Sequence, residues 1–115
     1  MPTDRKALLR QYKETKLPMG VFRVRNVAET RSFVGVSVNL PGMLNRMRFQ
    51  LDNSAHPNRA LQADWDRLGP DAFVIEALDE LEPPEEPGYD SKLDLEELRQ
   101  MWIERLTAEG ESLYT

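Results

Sequence analysis

Apolar and polar positions alternate twice near the start of the chain. From Gly20 to Val27, Phe22 and Val24 fall on one side while Val21, Arg23 and Arg25 fall on the other, the period-two signature of a strand. Ala28-Glu29-Thr30 then turns the chain, and Arg31 to Val38 reads as a second strand, so the two form a hairpin. The period next lengthens to that of a helix. Leu40, Leu44, Met47 and Leu51 share one helical face after the break at Pro41-Gly42. Asp52-Asn53-Ser54 is a turn, and His56-Pro57-Asn58 opens a second helix through Leu61, Trp65 and Leu68 that Gly69-Pro70 stops. Residues 72–78 predict a third strand, and residues 93–106 a last helix with Leu95, Leu98, Trp102 and Leu106 inward. Ahead of all these, Ala7, Leu8 and Tyr12 predict a short helix over residues 4–14, capped by Thr3 or Asp4. The order gives an α+β fold: a small three-stranded antiparallel sheet flanked by helices, with an extra N-terminal helix.

At 115 residues the chain is long enough for one core and too short for two, so residues 1–115 are expected to form a single domain with its core at about 19–107. The proline-rich acidic stretch at 82–91 is expected to be a solvated loop. With no cysteine and one histidine, disulfides and thiolate or imidazole-rich zinc sites are excluded. No apolar run suggests a signal peptide or a membrane span, so a cytoplasmic protein is expected. The net charge of −5 conceals a segregation: residues 1–67 hold twelve Lys/Arg against six Asp/Glu, and residues 68–115 hold three against fourteen. A basic half suits a phosphate backbone, and an acidic half repels one.

Gly20-Val21-Phe22 and Phe33-Val34-Gly35, each an aromatic beside a β-branched residue and a glycine, resemble the paired signature of the GIY-YIG nuclease superfamily. The resemblance extends through Asn26, Ser37, Asn39-Leu40, His56-Pro57-Asn58, Leu61-Gln62, Trp65, Gly69, Phe73, Leu78 and Trp102-Ile103, from about Met19 to Leu106. It implies a small bacterial-type nuclease domain that would hydrolyse phosphodiesters with one Mg²⁺ or Mn²⁺. In such domains a glutamate on the last helix holds the metal, and a tyrosine of the first block acts as general base. An arginine, a second tyrosine and often a histidine handle the phosphate.

Carried onto this chain, those roles fall on Phe22, Phe33, Met43, Met47 and Arg99. A phenyl ring holds no transferable proton, a thioether offers no cation, and a guanidinium repels a metal ion. The resemblance therefore implies the scaffold with a degenerate centre. Arg46 and Glu96, each one helical turn from a substituted position, are candidate replacements, and Glu96 and Glu97 are candidate metal ligands. Met43 and Met47 also extend the apolar stripe of the first long helix, which makes them core residues. His56 reads as a helix-entry residue, and Trp65 and Trp102 read as packing residues.

Three functions follow. The first is a degenerate nuclease-family domain that keeps contact with DNA or RNA through Arg23, Arg25, Arg31, Arg46 and Arg48 and needs no cofactor. The second is a divergent Mg²⁺- or Mn²⁺-dependent endonuclease using Arg46 and Glu96. The third is a protein-interaction module whose acidic C-terminal half meets a basic partner. Arg23, Arg25 and Arg31 would otherwise be ordinary charges on an exposed sheet face.

Overall fold

A computed structural model describes residues 17–82 and 88–115. The helix expected at residues 4–14 and the centre of the acidic loop lie outside the described residues.

Strand β1 (Met19–Asn26) pairs antiparallel with β2 (Arg31–Ser37), Phe22 opposite Gly35 and Val24 opposite Phe33. The connection is closed locally, because the Asn26 side-chain oxygen accepts from Glu29 N at 3.0 Å. Helix α1 (Leu40–Asp52) starts at Asn39, whose side chain accepts from Gly42 N. Helix α2 (Arg59–Leu68) is capped in the same way by Asn58 on Leu61 N and ends at Gly69, which takes a φ of 85°. A single 3₁₀ turn, Pro70–Ala72, leads into β3 (Phe73–Leu81), and helix α3 (Ser91–Ala108) follows.

The sheet differs from expectation in one respect. It has four strands in the order β3-β1-β2-β4, not three antiparallel ones, and β4 (Ser112–Leu113) runs parallel to β2. Two residues are too few to show a period, so nothing in the apolar pattern marks them. What places β4 is backbone pairing, Ser112 N to Thr30 O at 3.0 Å and Tyr114 N to Ser32 O at 2.9 Å. Strand β3 also runs three residues past its expected end, since an outer strand tolerates Asp79 and Glu80.

Both faces of the sheet are covered. On one, Phe22 and Val24 join Leu40, Met47 and Leu51 of α1, Leu61 and Trp65 of α2, Phe73 and Tyr114. On the other, Val21 and Val34 pack with Leu106, and the half-buried Leu98, Trp102 and Ile103 of α3 close around them. The core thus reaches Tyr114, beyond the expected limit near residue 107.

Gly20 sits where a side chain has no room: a Cβ there would overlap the Asp79 carbonyl oxygen and lie 2.8 Å from Glu80 Cα. Backbone cannot swing aside as a side-chain tip does, so Gly20→Ala should cost about 2–3 kcal/mol, in the range of overpacked cores. Urea unfolding of the variant measures it, with Gly42→Ala as the contrast, where the displaced atoms belong to the Asn39 side chain.

Candidate functional site

Phe22, Phe33, Met43 and Met47 come together on the α1 face of the sheet. Pairing opposite Gly35 lets the tip of the Phe22 ring sit over that glycine, whose Cβ would stand 2.6 Å from the ring's Cζ. The Phe22 and Phe33 centroids are 6.3 Å apart, and Phe33 meets His56 edge-on at 5.2 Å. Met47 and Phe22 are buried in the same core, with Phe33 and Met43 half-buried against it. The sequence pattern gave no reason to add His56 to this group; only the fold brings its ring to Phe33.

Histidine 56 is fully occupied. Its Nδ1 accepts from Asn58 N at 3.0 Å, which fixes the neutral tautomer with the proton on Nε2, and Nε2 lies 3.3 Å from Met47 Sδ. Its backbone N donates to Gln62 Oε1 at 3.1 Å. In this tautomer Nδ1 already accepts one hydrogen bond and the Nε2 proton faces the Met47 sulfur. Burial pushes its pKa below the ordinary 6.5.

Arg99 stands apart from this group. It projects from α3, donates through Nε to Val34 O at 3.2 Å and pairs with Glu96 at 2.8 Å. Glu96 is thereby tied to a cation, and Glu97 is exposed on the next position of α3. Among the described residues no three His, Cys, Asp or Glu side chains converge. Arg46 belongs to α1 and Glu96 to α3, helices packed against opposite faces of the sheet.

The hairpin arginines are neither an open phosphate groove nor ordinary solvated charges. Arg23 donates to Glu76 at 2.7 Å and reaches Glu111 at 3.5 Å; Arg25 Nε donates to Glu111 at 3.1 Å. Glu111 is buried and also accepts from the Ser32 hydroxyl. Arg31 stacks 4.1 Å above the Tyr114 ring and lies 3.8 Å from Asp64. Tyr114 OH donates to Asp64 at 2.7 Å and accepts from Asn26; burial and the Asp64 bond push its pKa up to about 12. The sequence order of charges had hidden these partners, since Glu76 and Glu111 are 53 and 88 residues from Arg23. Arg46 and Arg48 remain on the exposed face of α1, Arg48 with Asp52 at 3.0 Å, beside an exposed Phe49.

With that geometry in view, solved structures give the fold a class. The chain is similar to the catalytic domain of homing endonuclease I-TevI, with a TM-score of 0.65 and 22% identity over 84% of this chain and 95% of that one. A mutant of the catalytic domain of intron endonuclease I-TevI matches with the same TM-score at 20% identity, over 86% and 93%. The fold is that of the GIY-YIG nucleases. No protein-family model matches the chain, and no curated protein matches it by sequence.

A pH titration tests the His56 arrangement. A depressed folded-state pKa means that the unfolded chain binds more protons, so stability is complete above 6.5 and falls as pH drops through 6.5 toward the folded value. The His56 ring signal in an NMR titration should therefore have its midpoint below 6.5, and the urea midpoint of unfolding should start to fall in that window.

Proposed function

We infer that this domain keeps the GIY-YIG scaffold without its hydrolytic chemistry, and that it contacts nucleic acid as a binding module. The observation that carries the first part is the closed contact of Phe22, Phe33, His56 and Met47. Hydrolysis of a phosphodiester needs a poised base and a positive charge or metal against the phosphate. At the positions the resemblance assigns to those roles stand two phenyl rings and two thioethers, and both ring nitrogens of the adjacent histidine are committed internally. Rate losses of about 10²–10⁴ attend removal of a single acid–base group, and here none of the groups is supplied.

The second part rests on α1. Arg46 and Arg48 lie on its exposed side, and Phe49 there is 67% exposed although it is a large aromatic. Cations beside an open ring are what single-stranded DNA or RNA uses, the backbone meeting charge and a base stacking on the ring. Arg23, Arg25 and Arg31 are absorbed by Glu76, Glu111 and Asp64 and serve the fold in this reading.

Purified protein incubated with Mg²⁺ or Mn²⁺ and labelled single- and double-stranded substrates should give no cleavage above a metal-free control. Metal-dependent cutting that disappears in Glu96→Ala and Arg46→Ala would establish the divergent nuclease instead. For binding, fluorescence anisotropy with a labelled oligonucleotide should show affinity falling with salt. Arg46→Ala and Arg48→Ala should each lower the salt slope by about 1. Phe49→Ala should weaken binding by about 1–3 kcal/mol at unchanged slope. Arg25→Ala should act on stability, by about 1–3 kcal/mol, since Glu111 keeps Arg23 and the Ser32 hydroxyl.

A further inference from the structure

Strand β3 is an outer strand of the sheet, on the side away from β4. Its inner edge is taken by β1. Val27 N donates to Ala72 O at 2.9 Å, and antiparallel alternation then turns the backbone groups of Val74 and Glu76 toward β1. Those of Phe73, Ile75 and Ala77 face outward, and among the described residues no backbone group bonds to that row. An unpaired edge of nine residues is a template for another strand.

The pairing slips between Val21 and Phe22, which face Asp79 and Ala77, so Leu78 is the extra residue of a bulge. The slip turns Asp79 toward α3, where it accepts from Trp102 Nε1 at 3.1 Å. Beside that bond a cavity of about 130 Å³ opens between β3 and α3, lined by Asp79, Leu98, Met101, Trp102 and Arg105. Val74 and Met101 are exposed although apolar. β3 itself carries Glu76, Asp79 and Glu80 and no cation.

We propose that the β3 edge takes an extended basic segment of a partner protein as a fifth strand, with an apolar side chain of that segment in the Trp102 notch. Strand addition draws affinity from main-chain hydrogen bonds and selectivity from pockets for alternate side chains, and both parts stand side by side here. Lysine or arginine on the incoming strand meets Asp79 and Glu80. A second copy of this chain would bring its own Asp79 and Glu80 to the same seam and be repelled. This surface lies on a different element from α1 and is independent of any nucleic-acid contact there.

The test uses a blocked synthetic peptide of alternating lysine and leucine, matched in length to β3, and a glutamate–leucine peptide as control. Amide exchange is read by NMR on the full chain. With the lysine peptide at saturation the Ile75 and Ala77 amides should slow by about tenfold, as a new hydrogen bond at a marginal edge requires, and the control should leave them unchanged. Ala77→Pro removes an outward N–H and should abolish the protection. Glu80→Lys, at an exposed site that leaves the fold intact, should weaken binding by about tenfold, the worth of roughly 1.4 kcal/mol. The proposal falls if the peptide protects no β3 amide, or if Glu80→Lys binds it as the unaltered chain does. It falls equally if Ile75 and Ala77 become protected with rising protein concentration alone, the mark of a second copy.

Discussion

Strand β1 is buried on both faces and bonded along both edges, and the other elements take their places from it. Val21 and Val24 are wholly buried on opposite sides of the sheet, the first under α3 and the second under α1 and α2. Full burial of such a side chain is worth about 1.5–3 kcal/mol, so each helix layer is anchored independently on the same strand. The strand's glycine and its partner's set the spacing. Gly20 admits the β3 backbone, and Gly35 admits the Phe22 ring. A shift of one residue would exchange the two faces and bury Arg23 and Arg25 under α1.

A second constraint joins the ends of the chain. Fourteen carboxylates follow residue 67 and twelve cations precede residue 68, and the fold sets the buried Glu111 of the acidic half against Arg23 and Arg25 of the basic half. Glu111 receives Arg23, Arg25 and Ser32; Asp64 receives Tyr114 and lies near Arg31. Because Glu111 and Tyr114 flank the two residues of β4, this network holds a strand too short to hold itself. The same network removes three arginines from the surface that a polyanion meets. Arg46 and Arg48, outside that network, stay on the exposed side of α1.

The strands, the two capped helices and the last helix were legible because each carries several periods of apolar spacing and a polar residue or glycine at its limits. Leu40, Met47 and Leu51 occupy the face their spacing assigns them. The fourth strand was not legible, since Ser112-Leu113 shows no period and owes its place to Glu111 and Tyr114. The arginine partners were hidden for a related reason: charge counted along a sequence carries no information on pairings 53 to 88 residues apart. His56 was assigned to a helix entry, and it does accept from Asn58 N; its contact with Phe33 and Met47 depends on how α1 and α2 pack, which local spacing does not contain.

The aromatic and thioether side chains on the α1 face fill the space over Gly35 and pack against the His56 ring. The proposal of a binding module without hydrolytic chemistry rests on the packing of Phe22, Phe33 and Met47 and on the direction in which His56 spends its two nitrogens. The most direct measurement is a crystal structure of the protein soaked in Mn²⁺, with anomalous scattering recorded. The account predicts the Phe22 ring over Gly35, Phe33 against His56, and no manganese peak near Glu96, Glu97 or His56. An ordered manganese ion at any of those side chains, with water in its remaining positions, would contradict it.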